Sequence, residues 1–361
     1  MNDLTHLDPQ LHDLARADTE SRVRMIAKDL FIEHDYSQYL RDVLDSLMCE
    51  PRHGRMPCWL IAGDAGMGKT AQMHRFVRRY PDRRAGGEAT LHRPIVIVNV
   101  PPEPTRVSLE IAILEALNAP SLTLGRRVDR AAVIRRLLTL HETRGLVFDE
   151  IQHICYSESR ERGIVLDAIK AFSTTCQLSV ICAGTPAAVR EFHADAQLER
   201  RFSVTQFVPW RSGPEPQRFL LTYERARPLR LPSYLASPEK VRELLAEAGG
   251  ITHKIMQCLN AAAIVAVHEG IERITSELLT VQRTAPGRVL AARRRASTLL
   301  MDRAAGGSGS RDLGSAGPQH NGSAGARDLL CIVLGRGCYC RAPALYSRIL
   351  GSVERRALPP A

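Results

Sequence analysis

Residues 63–70 read Gly63-Asp64-Ala65-Gly66-Met67-Gly68-Lys69-Thr70. Three glycines followed by a lysine and a hydroxyl fit the spacing G-x-x-x-x-G-K-[ST] of a phosphate-cradling loop. The chemistry this predicts is anion binding. Glycines let the backbone fold tightly enough for its N–H groups to face phosphate oxygens. A helix that opens at Thr70 and Ala71 adds its positive dipole end. Lys69 is expected to reach the β- and γ-phosphates of ATP, and Thr70 to ligate Mg2+.

A second constellation is Leu146-Val147-Phe148-Asp149-Glu150, an apolar strand ending in two carboxylates. Asp149 is placed to hold the hydration shell of Mg2+, and Glu150 to accept a proton from attacking water. Alone, such a pair could equally cap the next helix. Downstream of a phosphate loop it specifies a P-loop ATPase that positions water against the γ-phosphate. A small-molecule kinase of the P-loop type would not need the adjacent Glu.

Three further positions have two readings each. Thr185 follows the apolar run Ser179–Gly184 and either senses the γ-phosphate or N-caps the helix begun by Pro186. Arg200 and Arg201 either reach the nucleotide of a neighbouring subunit or form a surface charge cluster. In Gly249-Gly250-Ile251-Thr252-His253-Lys254 the glycines end one helix and Thr252 starts the next. There Lys254, or His253, is a second sensor if the helices fold over the nucleotide, and otherwise a helix-start charge.

These side chains need elements to hold them. Short apolar runs at Cys58–Ala62, Ile95–Val100, Leu146–Phe148, Leu178–Ala183 and Val204–Val208 alternate with the helical patterns Leu109–Leu117, Ala131–Leu140 and Ile164–Phe172. That alternation predicts an α/β fold: a five-stranded parallel sheet flanked by helices. After Pro214 only helical patterns remain, at Gln217–Arg227, Pro238–Ala248, His253–His268 and Thr275–Arg283. Two amphipathic stretches precede the loop, one bracketed by Leu11, Leu14, Ile26 and Leu30, the other carried by Tyr36, Leu40, Val43, Leu44 and Leu47. The expected division is a helical segment 1–50, an ATPase core 51–213, a helical lid 214–284 and a tail 285–361.

The 361 residues carry 49 Lys+Arg against 39 Asp+Glu, a net charge of +10. The excess is local. Residues 285–361 hold 12 arginines and 4 acids, which leaves a net of only +2 upstream. The tail is rich in Gly, Ser and Ala from 305 to 326 and reads as disordered linker. Its Arg293, Arg294 and Arg295 could grip phosphate or simply be solvated. No apolar run approaches a membrane span, Met1–Gln10 lacks a signal-peptide pattern, and the nine cysteines are scattered, so reduced thiols in the cytoplasm are expected.

Phosphate loop, acidic strand end, sensor strand, Arg pair and helical lid, in that order, resemble the AAA+ ATPases. More narrowly the chain resembles the TniB-type transposition ATPases, relatives of TnsC, MuB and IstB. The segments that carry this are Arg55-Met56-Pro57, Gly63–Thr70, Val147-Phe148-Asp149-Glu150-Ile151-Gln152-His153, Cys182–Thr185 and Asp195–Phe202, within residues 10–283. The resemblance implies ATP-dependent binding to double-stranded target DNA as a ring or filament. It implies recruitment of a TniA-like DDE transposase, with a TniQ-like adaptor as a further partner. It places a DNA-facing loop at Pro101–Arg106, where Thr105 and Arg106 are the expected contacts, although a Pro-rich turn there has a structural use too. Such chains end soon after the lid, so the tail departs from the pattern. The competing expectation is a loader-like or signalling ATPase that acts on proteins without touching DNA.

Overall fold

The computed structural model describes residues 3–84, 91–119 and 129–279. The tail 285–361, with Arg293–Arg295, lies outside them, as does the predicted helix Thr275–Arg283 beyond residue 279.

The first amphipathic stretch is not one helix. It forms α1 (His12–Arg16) and α2 (Thr19–Ala27), broken where Ala17 and Asp18 are extended. Asp18 ends the run because its carboxylate accepts the Ser21 N–H at 2.9 Å, an N-cap that restarts the helix. The second stretch is α3 (Asp35–Cys49), whose Leu40, Val43, Leu44 and Leu47 are all buried.

Strand β1 (Cys58–Gly63) runs into the phosphate loop, and α4 (Lys69–Arg79) follows. A small antiparallel pair, β2 (Arg83–Arg84) and β3 (Leu91–His92), precedes β4 (Ile95–Asn99). Then come α5 (Arg106–Ala116), α6 (Arg130–Leu140), β5 (Gly145–Asp149), a 3-10 turn at Ile151–Tyr156 and α7 (Ser159–Thr175). Strand β6 (Ser179–Gly184), helices α8 (Pro186–Ala194) and α9 (Ala196–Glu199), and β7 (Phe202–Phe207) complete the sheet. Its order is β4-β5-β6-β1-β7, and every neighbouring pair is parallel.

The central strands are buried on both faces, which is why they read as unbroken apolar runs. Leu60, Phe148, Val180 and Cys182 point into a core with Ile113 of α5, Ile134 of α6, Ile169 of α7 and Phe192 of α8. Trp59, Ile61, Val147 and Ile181 point the other way, toward Leu44 of α3 and Met73 of α4.

The remaining helices α10 (Pro214–Arg225), α11 (Pro238–Ala248) and α12 (Thr252–His268) make a separate core. Val23 and Ile26 of α2 belong to it as well. Three arginines fasten the N-terminal helices there. Buried Arg22 donates Nε to the Pro228 carbonyl at 3.0 Å and pairs through both terminal nitrogens with Glu272. Arg227, also buried, donates to the carbonyls of Met25 and Lys28, and Arg230 to those of Ala15 and Ala17. The chain therefore starts in the lid, crosses to the sheet through residues 28–34, and returns through residues 208–213. The two crossings touch: the His34 and Trp210 rings stand 4.9 Å apart, edge to face, and Trp210 lies 5.0 Å from Phe219 with the rings tilted at 48°.

No single helix among the described residues is long and apolar enough to cross a membrane. The cysteines described, Cys49, Cys58, Cys155, Cys176, Cys182 and Cys258, are free thiols.

Removing one partner of a buried ion pair strands the other charge. Arg22→Ala is expected to lower unfolding free energy by about 3–5 kcal/mol, whereas Arg41→Ala, which loses a half-exposed pair with Glu33, should cost under about 1 kcal/mol. Urea denaturation of the two variants checks this, and equal losses would mean that Arg22 does not fasten the lid.

Candidate nucleotide-binding site

The carboxyl ends of β1, β6 and β5 lie side by side, the edge of a parallel sheet where ligands bind. Beyond β1, the loop turns through Gly66 (φ +81°) and Gly68 (φ +91°), left-handed conformations that suit glycine. Gly68 is the N-cap of α4, so the loop delivers Lys69 and Thr70 into its first turn. The Lys69 ammonium donates to the carbonyls of Gly63 at 2.7 Å and Asp64 at 2.9 Å. Burial pulls its pKa below the ordinary lysine value, and the carboxylates of Glu150, Asp149 and Asp64 oppose that shift. A desolvated cation ringed by amide groups is a receptor for a polyanion.

Facing the loop is a cleft of about 770 Å3. Ala65, Gly66, Met67, Gly68, Lys69, Thr70, Ala71, Glu150 and Thr185 all line it. Gly63, Asp64 and Asp149 are not among the lining residues; Gly63 and Asp149 are buried, and Asp64 is exposed. Asp149 is buried at the end of β5, and its Oδ1 accepts the Glu150 N–H at 2.9 Å. The Thr70 hydroxyl and the Asp149 carboxylate are hard oxygen donors of the kind Mg2+ takes alongside substrate phosphates. Thr185 is the N-cap residue of α8, but its side chain makes no capping hydrogen bond, which leaves the hydroxyl to the cleft.

The lid supplies the opposite wall through Thr252, His253, Met256, Gln257 and Asn260, one face of α12 at helical spacing. Of the two second-sensor positions, His253 lines the cleft and Lys254 does not. One residue along a helix is about 100° of rotation, and that turns Lys254 outward, where it is exposed. The lid touches the loop directly. The His253 N–H donates to the Gly66 carbonyl at 2.9 Å, and Trp210 Nε1 donates to Thr252 Oγ1 at 2.8 Å. A Cβ added at Gly66 would meet the His253 Cβ at 3.0 Å and Ile251 Cγ2 at 3.1 Å.

The arginine pair lies elsewhere. Phe202 at the start of β7 aligns with Cys58 at the start of β1, so Arg200 and Arg201 stand at the amino edge of the sheet. A six-residue strand separates that edge from the chain's own loop by about 20 Å. Arg201 is engaged at home: its Nη1 donates to the Lys170 carbonyl at 3.0 Å and to Ser173 Oγ at 2.9 Å. Arg200 is exposed, and its guanidinium has no partner among the described residues. Thr105 and Arg106 begin α5. Thr105 forms a capping box with Ser108, and Arg106 pairs with Glu110 at 3.0 Å, so both have local structural work.

Two features had no assigned role in the sequence. Gln152 is buried between Glu150 and Thr185, and its only signal was a polar residue two places after the acidic pair. The crossing segment contributes Asp29, Leu30, Phe31, Ile32 and His34 to the cleft, and nothing in their spacing announced it.

A five-stranded parallel sheet with the phosphate loop after its first strand and a helical lid beside it defines an AAA+ module of the P-loop ATPase class. Residues 22–212 match the family model described as Bacterial TniB protein, and the chain belongs to the TniB family. No curated protein matches it in sequence. Among solved structures, it is similar to the ORC1 protein of Aeropyrum pernix in complex with DNA, with 20% identity over 74% of this chain and 70% of that one, at a TM-score of 0.52. It is also similar to Cdc6p of Pyrobaculum aerophilum, with 17% identity over 70% and 67% of the two chains, at a TM-score of 0.51. At such identities the likeness is one of fold.

Because Gly66 combines a left-handed φ with a close approach to α12, Gly66→Ala is expected to cost about 1–3 kcal/mol and to loosen the lid. Faster amide exchange at the start of α12 in that variant would report it; unchanged exchange would mean the lid does not rest on the loop.

Proposed function

We propose that this chain is an ATP-hydrolysing switch that assembles with copies of itself on double-stranded target DNA and there engages a TniA-like DDE transposase. Membership of the TniB family supports the transposition setting. The observation that carries the ATPase reading is the cleft in which Lys69, Glu150 and Thr185 converge, while the free Arg200 stands at the far edge of the sheet.

In this reading the loop amides and Lys69 hold the β- and γ-phosphates. Thr70 and Asp149 hold Mg2+, which neutralises charge on the phosphates. The Glu150 carboxylate takes a proton from water, and the Thr185 hydroxyl contacts the γ-phosphate. His253, rather than Lys254, is the lid's sensor. Arg200 is too far from its own cleft to act there, so it serves the cleft of a neighbouring copy, and Arg201 holds its segment against α7. The ATPase core spans 51–213, and the lid 214–284 gains α2. Thr105 and Arg106, at the turn after β4, are the proposed DNA contacts, and a TniQ-like adaptor is a further partner.

The near-neutral charge of residues 1–284 favours one alternative, a loader-like or signalling ATPase that acts on protein partners. DNA affinity measured against salt separates the two, because phosphate contacts give a steep negative slope.

Lys69→Ala is expected to lose ATP binding together with ATP-dependent retention on DNA. Glu150→Gln should bind ATP and stay on DNA without turnover. Arg200→Ala should lose about 10³-fold or more in hydrolysis. Mixing Glu150→Gln with Arg200→Ala should restore turnover, since each chain supplies what its neighbour lacks. A mixture as inactive as its components would remove Arg200 from the shared site.

A further inference from the structure

We propose that Gln152 is the positioning residue for Glu150, tying the orientation of that carboxylate to the end of β6. The inference rests on the ATPase reading above. Gln152 is buried in the 3-10 turn after β5. The Thr185 N–H can only donate, so the atom it meets at 3.1 Å must be the amide oxygen Oε1. The Nε2 amide group then points the other way, where Glu150 Oε2 accepts from it. One side chain thus joins the two residues that flank the γ-phosphate end of the cleft.

Two features show that the link is built in. Glu150 is held at φ +57°, a left-handed conformation uncommon outside glycine, which fixes the direction in which its side chain leaves the backbone. Gly184 ends β6 directly beneath Gln152. A Cβ there would stand 2.9 Å from Gln152 Oε1 and 2.6 Å from Ile151 Cγ2, so only glycine lets the amide lie across the strand end.

With Oε2 engaged by Gln152, the other oxygen of Glu150 is left to address water. A shift of Thr185 pulls on Gln152 and turns the Glu150 carboxylate. Gln152 borders the cleft, but Thr185 and Glu150 engage its amide oxygen and nitrogen, so it acts through Glu150.

The test uses the full chain with duplex DNA, measuring steady-state ATP hydrolysis and, separately, affinity for a fluorescent ATP analogue. Gln152→Met removes both hydrogen bonds at similar length. Gln152→Leu removes them as well and leaves no sulfur that could accept from the Thr185 N–H. Both should lose about 10–100-fold in kcat, the usual cost of removing a group that orients a reacting one. KM and analogue affinity should stay within about twofold, a split that a merely structural role would not produce. Gly184→Ala should reproduce the loss. Retained kcat in Gln152→Met and Gln152→Leu, or a matching loss of nucleotide affinity, overturns the proposal and leaves the ATPase reading standing. A wild-type chain that binds ATP without hydrolysing it overturns both.

Discussion

The hydrogen bond from the His253 N–H to the Gly66 carbonyl is where the lid meets the phosphate loop. The cleft depends on it, because its two walls belong to separate hydrophobic cores, one around the sheet and one in the lid. What ties them together at the cleft is a backbone contact that a Cβ at Gly66 would crowd. The loop and the start of α12 are thereby held as one surface. A ligand that engages the loop acts on the lid through its backbone, with no long side chain between.

The sheet divides the chemistry by its two edges. Lys69, Asp149, Glu150 and Thr185 gather at the carboxyl edge, and the arginine pair stands at the amino edge. This division follows from parallel pairing, since every strand carries its end residues to the same side. A chain built this way carries its cleft at one edge and an exposed guanidinium at the other. Arg201 and Arg200 differ for an equally local reason. The carbonyl at Lys170 and the hydroxyl of Ser173 engage the first and leave the second exposed.

Much of this was readable from the sequence because it rests on local rules. Three glycines and a lysine fix a loop, and doubly buried strands must be apolar throughout. Cys58–Gly63 and Ser179–Gly184 show that plainly. The helix break at Asp18 was missed because capping competes with periodicity, and the apolar pattern from Leu11 to Leu30 runs straight through the cap. Lys254 and His253 could not be told apart without the rotation of α12. The union of α2 with α12 was out of reach for a different reason. It depends on Arg22, Arg227 and Arg230 finding carbonyls and a carboxylate as much as 250 residues away in the chain. Charged residues in a sequence read as surface, and only the fold reveals the buried acceptors.

The two crossings between lid and core lie against each other at His34 and Trp210. All covalent connection between the two bodies therefore passes through one aromatic spot. Such a lid is a lever with a single fulcrum. Trp210 also grips Thr252 at the head of α12, so the fulcrum and the point of load share a residue. A change at Trp210 would therefore disturb both crossings and the head of α12 at once, while Lys69 and Asp149 keep their own places in the sheet's half of the chain.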